Sequence, residues 1–234
     1  DLNFGVRPMF TIKGNISVVS GDGTITNPYS FGDSTPISGG EELNKASTGE
    51  YVEISGDLYR VIDVENGYTK VIAEESIVNS NDTKIVISPG IPVYEFTYDT
   101  KKKGSIGYKI NNESSQYIDT SYFTNHDVSV PIYKKDIIYG SEVKTEKYKA
   151  KVFAPNMYEM FSAQVNLFGH NSHSYWYLNT SKTTLYLSGI TDTGVPLNKV
   201  SSNVFYGIRP CAYIKKSTII TSGKGTRKEP YIIK

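Results

Sequence analysis

Cysteine is almost missing from this sequence: Cys211 is the only one in 234 residues. A disulfide within the chain is therefore impossible, as is a zinc cluster built on several thiolates. Cys211 falls in an apolar, strand-like stretch, which predicts a buried and unreactive thiol. No sign of charge dominates, since 25 basic and 24 acidic residues leave a net charge of +1. Apart from Lys101-Lys102-Lys103 the basic residues are scattered. The electropositive stripe that phosphate neutralisation needs is missing, so no nucleic-acid partner is expected. No apolar run approaches the roughly 20 residues that span a bilayer, which predicts no membrane insertion. No charged start followed by an apolar stretch marks a signal peptide.

Tyrosine, by contrast, is plentiful: 19 Tyr stand beside 9 Phe and 1 Trp. Tyr offers contact area and a hydroxyl for little lost rotamer entropy, so an exposed set of them suits recognition. The competing explanation is a β-rich fold whose cross-strand pairs favour Tyr.

The most informative feature is an internal duplication. Phe4-Gly5-Val6-Arg7-Pro8 matches Tyr206-Gly207-Ile208-Arg209-Pro210, and the match continues without a gap. Ile12-Lys13 aligns with Ile214-Lys215, Ser20-Gly21 with Ser222-Gly223, Gly23-Thr24 with Gly225-Thr226, and Pro28-Tyr29 with Pro230-Tyr231. Each copy reads Gly-x-Arg-Pro, an apolar strand, Ser-Gly-x-Gly-Thr, then Pro-Tyr. Gly-x-Gly between β-branched runs is a hairpin turn by its chemistry. A phosphate cradle is the weaker reading, because no helix start follows. These positions predict three segments: residues 1–31 as the tail of a preceding repeat, 32–48 as a linker rich in Ser, Thr, Gly and Pro, and 49–234 as a complete domain. The alternative is that the first copy packs into the same domain as a pseudo-symmetric strand pair.

Within 49–234 the pattern predicts a β-rich α+β class. Residues 51–72 read as a meander with turns at Ser55-Gly56 and Asn66-Gly67. A helix is expected over 104–117, and a better one over 155–168, where Pro155 suits a first turn and Met157, Met160, Phe161, Gln164 and Phe168 mark one face. Strands are expected at 84–88, 93–98, 175–178, 184–188 and 204–221.

The order of the meander, Gly104-Ser105-Ile106-Gly107-Tyr108, the Met157-Tyr158 helix, Tyr175-Trp176-Tyr177-Leu178 and the closing Tyr206-Gly207-Ile208-Arg209-Pro210 resembles the C-type-lectin-like fold of bacterial surface domains related to formylglycine-generating enzymes. The variable binding proteins of diversity-generating retroelements are similar too. The resemblance implies one or two helices packed on short antiparallel sheets, in an extracellular or cell-surface protein. Copper-assisted oxidation by the sulfatase-modifying members relies on cysteines, and this chain has only Cys211. The Glu-Pro-Asn or Gln-Pro-Asp signature of calcium-dependent sugar binding is missing as well, since Pro196 is flanked by Val195 and Leu197. What the resemblance implies is therefore a scaffold that binds without a metal or other cofactor and is not an enzyme. Its ligand would be a host or cell-surface glycan or protein.

The resemblance places binding just before Gly-x-Arg-Pro, at Tyr175, Tyr177, Asn179, Tyr186, Asn198, Asn203 and Tyr206. Tyr and Asn together form an adaptable contact surface. Arg209 and its counterpart Arg7 are expected to be structural, each guanidinium holding several carbonyls. Trp176 alternates with its Tyr neighbours and is expected to face the core. Catalytic constellations are weak. His170 and His173 stand three residues apart but need a third ligand, for which Asp192 or Glu159 would have to serve, and His126 reads as a lone loop residue. Ser172 and Ser174 lack a nucleophile elbow, and Glu74-Glu75 implies no apolar pocket. Beside a non-catalytic, adhesin-like binding repeat stand two other readings: a structural spacer in a surface array, and a hydrolase or oxidase of unknown substrate.

Overall fold

The computed structural model describes residues 18–20, 24, 30–31, 37–74, 99–103, 105–112, 118–133, 142–156, 159, 175–181, 187–190, 196–200 and 209–234. The chain divides into two units, Asp1–Pro36 and Ile37–Lys234. In the first, β1 (Val18–Ser20) and β2 (Ser30–Phe31) form an antiparallel pair. The expected strands at 84–88 and 93–98 lie outside the described residues.

Among its described residues the second unit is β-rich with little helix, consistent with the α+β class that the pattern predicts. Its meander is β3 (Tyr51–Ile54), β4 (Asp57–Glu65) and β5 (Tyr68–Ala73). Ile54 pairs with Asp57 and Glu65 with Tyr68, so each turn has two residues. Positive φ at Asn66 (52°) and Gly67 (79°) gives the mirror-image turn that matches strand twist. Alternation along β3 buries Val52 and Ile54 and exposes Glu53.

The remaining strands are β6 (Phe123–Thr124), β7 (His126–Tyr133), β8 (Glu142–Ala150), β9 (Val152–Phe153), β10 (Tyr175–Ser181), β11 (Leu187–Ile190), β12 (Pro196–Val200), β13 (Cys211–Ile214), β14 (Ile220–Ser222) and β15 (Tyr231–Ile233). One sheet runs β14-β15-β3-β4-β5-β13-β6, with β9 also on β13, and the other runs β12-β11-β10-β7-β8. Among the residues whose burial is described, most of the buried apolar side chains come from the first, including Val52, Val61, Val71, Ile72, Ala212 and Ile214.

A two-stranded ribbon links the sheets. β6 covers one half of the free edge of β13, with Thr124 opposite Tyr213, and β9 covers the other, with Val152 opposite Ala212. Both pieces run antiparallel to β13, so together they act as one edge strand out of which the β7–β8 ribbon is looped. The sequence pattern missed this ribbon, because β8 reads Glu-Val-Lys-Thr-Glu-Lys-Tyr-Lys-Ala, with Lys144, Lys147 and Lys149 all exposed.

Helix α1 (Ile106–Asn112) falls within the helix expected over 104–117. Ser105 Oγ accepts from the Tyr108 amide at its start. Asn111 is a fastener rather than a helix breaker. Its Nδ2 donates to the Val152 carbonyl at 2.7 Å, and its Oδ1 accepts from the Lys151 and Val152 amides.

Residues 37–48 fall inside the span that composition assigns to a linker. They are packed: Leu43 is 1% exposed. Gly40 and Leu43 donate backbone hydrogen bonds to the Ile220 and Thr218 carbonyls. Small polar residues here serve a close approach to β14 rather than freedom of the chain.

Candidate functional site

A cleft of about 360 Å³ opens where the ribbon leaves the central sheet. Its groups arrive from three places: Glu65 and Lys70 from β4 and β5, Tyr213 from β13, and His126 to Ser129 with Lys147 from the ribbon. Phe153 of β9, with Asn156 and Glu159 from the segment after it, closes the cleft.

The inner wall is a fixed charge pair. Lys70 lies opposite Tyr213 across β5 and β13, and its ammonium pairs with the Glu159 carboxylate. The side chains are only 13% and 11% exposed. The same ammonium lies 5.1 Å from the Phe153 ring centroid and 5.2 Å from that of Tyr213, within cation–π range. Burial alone would lower the lysine's pKa, but the Glu159 charge and hydrogen bond outweigh it and hold Lys70 above its ordinary value. Glu159 is itself held by a reciprocal cap: Asn156 N donates to Glu159 Oε2 at 2.9 Å, and Glu159 N donates to Asn156 Oδ1 at 2.8 Å. This is a capping box, which makes Asn156 the cap. Pro155 therefore precedes the helix start instead of occupying the first turn. Met157, Met160, Phe161, Gln164 and Phe168 of that predicted helix face lie outside the described residues.

Aromatic rings form the second wall. His126 stacks on Tyr213 with centroids 3.8 Å apart and planes inclined by 25°, and meets Tyr68 edge-on at 5.2 Å. It is a strand residue locked between rings, not the lone loop histidine that its sequence context suggests. Burial pushes the Tyr213 phenol above its usual value, against the pull of Lys70, so the hydroxyl stays protonated at neutral pH. It lies 3.5 Å from Glu65 Oε2. At the rim Ser129 faces Lys147 across β7 and β8, and Asp127 pairs with Lys149 at 2.8 Å. The cleft thus offers donors and acceptors of both charges beside ring edges.

Cys211 lies just behind this wall with no exposure. Burial first, and then the Glu159 charge, push its thiol well above the usual range. It is therefore held as a thiol rather than a nucleophilic thiolate. Among the described residues no three His, Cys, Asp or Glu side chains gather to hold a metal. His170, His173, Ser172, Ser174 and Asp192 lie outside the described residues, and Glu159 serves the lysine pair. No helix among the described residues is long and apolar enough to cross a membrane.

Of the recognition residues expected from sequence, Tyr175, Tyr177 and Asn179 lie in β10 and Asn198 in β12. Tyr186, Asn203 and Tyr206 lie outside the described residues, as does Arg7. β10 runs parallel to β7, with Thr180 opposite Ile132 and Ser181 opposite Tyr133. That direction carries the start of β10, with Tyr175 and Tyr177, toward the end of the sheet where His126 to Ser129 line the cleft. Trp176 is in register with Gly189 of β11. Arg209 is 1% exposed, and its Nε donates to the Ala73 carbonyl at 2.9 Å. The pair of Lys70 and Glu159 has no signature in sequence, because its members are brought together only by the register of β5 and the cap that holds Glu159.

Removing one partner from so dry a pair leaves a buried charge uncompensated, which costs more than the pair contributes. Lys70→Met is expected to lower stability by about 2–3 kcal/mol. Lys70→Met/Glu159→Gln keeps the cap acceptor and is expected to recover most of that loss. Equilibrium urea denaturation of the single and double variants measures this, and a double variant no more stable than Lys70→Met would refute a charge-pair wall. No family model, curated protein or solved structure matches the chain.

Proposed function

We propose that this chain is a non-catalytic, adhesin-like ligand-binding module of a secreted or cell-surface bacterial tandem-repeat protein. Its scaffold is C-type-lectin-like, and its ligand is a host or cell-surface glycan or protein. The observation that carries the binding reading is the cleft at the foot of the ribbon. Small-ligand sites are concave, with a few fixed polar groups beside apolar or aromatic surface. Here Lys70, Glu159, Asn156 and Ser129 supply fixed donors and acceptors, and the rings of His126, Tyr213 and Phe153 stand beside them. Mixed donors and acceptors suit hydroxyl-rich ligands. Tyr175 and Tyr177 at the start of β10 extend the same end of the sheet and make the second part of the recognition surface. The duplicated Gly-x-Arg-Pro block supports the tandem arrangement.

The test is a glycan array and a panel of extracellular host proteins probed with the purified chain. Ser129 is exposed on β7, so Ser129→Trp fills the cleft without touching the core. It is expected to weaken any binding found by at least tenfold, about 1.4 kcal/mol. Tyr175→Ala/Tyr177→Ala is expected to weaken it further. Silence from a folded chain would favour the structural-spacer reading. Binding that is indifferent to Ser129→Trp would move the site away from the cleft.

A further inference from the structure

The duplicated blocks are alike in register as well as in sequence. In the first unit Val18 pairs with Phe31 and Ser20 with Ser30, with a register shift between them. In the second, Ile220 pairs with Ile233 and Ser222 with Ile232, again with a shift between them. Each position of the first hairpin is the counterpart of the matching position of the second, in the alignment that also matches Gly21 to Gly223 and Tyr29 to Tyr231. Two independent hairpins with the same irregularity at the same place are one structural part used twice.

The two parts differ in their surroundings. The outer edge of β15 is covered by β3 in parallel, with Tyr231 opposite Val52 and Ile232 opposite Glu53. Among the described residues the sheet of β1 and β2 has two strands only. A two-stranded hairpin is marginal in water, and an open edge is a template for another strand.

We infer that the edge of β2 receives a parallel strand of the β3 type, from a like module that precedes it in the same polypeptide. This rests on the tandem-module part of the functional reading and is independent of the ligand. A second copy of this chain cannot supply the strand, because its own β3 is already flanked by β15 and β4. Hairpin 18–31 is then the closing part of one module, and residues 32–36 are all that separates it from the next.

The test exchanges the two parts in the full chain by replacing residues 220–233 with the sequence of residues 18–31. If the hairpins are equivalent, the graft unfolds cooperatively with Tm within about 10 °C of the parent, and the β3 amides keep their protection against hydrogen exchange. The same graft carrying Gly23→Val serves as a control and is expected to lose that protection. In parallel, a peptide of residues 48–55 is titrated into the unmodified chain while amide signals are followed by NMR. Shifts confined to residues 18–31 are expected. A graft that fails while those shifts appear still supports the strand-receiving edge. A graft that fails with no shifts overturns the inference. Neither readout depends on a ligand, so a silent ligand screen leaves it standing.

Discussion

Gly223→Ala is expected to lower the Tm of the second unit by about 10 °C, a large effect for one added methyl group. Gly223 has φ of +98°, outside the comfortable range of an L-residue. A Cβ there would lie 2.0 Å from the Pro230 carbonyl oxygen and 2.7 Å from its carbon. The obstacle is backbone, so no rotamer change relieves it. Nor can the hairpin move aside, because Lys224 N donates to the Glu229 carbonyl at 2.9 Å and β15 is held on β3. Strain and overpacking each cost about 1–3 kcal/mol, and about 3–4 together. Lys224→Ala, at the exposed position between the two glycines, is expected to leave Tm unchanged. Differential scanning calorimetry of both variants decides the matter, and equal Tm values would contradict this turn geometry. Gly225 makes the companion demand: its φ is +70°, and a Cβ would meet the Tyr231 ring at 2.5 Å. In the second copy Gly-x-Gly and the later Pro-Tyr belong together because the ring of Tyr231 occupies the space that Gly225 leaves.

The second large effect is expected from Arg209→Met, a loss of about 3–5 kcal/mol. The guanidinium holds the Ala73 carbonyl and lies 3.6 Å from Glu74 Oε2. Glu74 is also buried, and its other oxygen lies 3.6 Å from Arg227, whose side chain is 44% exposed. Methionine fills the volume but leaves a carbonyl without this donor and a carboxylate with only a distant, solvated partner. Arg209→Lys is expected to recover only part of the loss, because one ammonium cannot reproduce the planar fork. Adding Glu74→Gln to Arg209→Met removes the stranded charge and is expected to restore more. Urea midpoints give the order of the four chains, and a midpoint for Arg209→Met equal to the parent would remove Arg209 from its structural role.

What could be read from the sequence is what backbone geometry demands. Asn66-Gly67 announced a two-residue turn because few residues tolerate two successive positive φ values, and Gly-x-Gly with Pro-Tyr announced a hairpin for a similar reason. Charge and ring partners were not legible. Lys70 and Glu159 meet through sheet register and a capping box, and His126 finds Tyr213 only because β6 and β13 are neighbours. The ribbon escaped notice because half its face is solvated, so Val128 and Val130 alternate against a strand of lysines. Residues 37–48 looked like a linker because a close backbone approach and free chain favour the same small residues. Leu43 and Ala46, both buried, were the contrary signs.

The parallel pairing of β15 with β3 has a mechanical meaning. Parallel neighbours have their starts at one end, so the entry to β3 and the exit from β15 lie at opposite ends of the pair. Residues 40–43 cross β14 on its other side, which turns them in the same direction as β15. Tension applied to the two ends of the second unit therefore slides these strands past each other. The hydrogen bonds are loaded together rather than peeled one at a time, and the rate of forced unfolding is set by breaking them as a group. The strand order that sets β15 between β14 and β3 also places the two ends of the unit in shear.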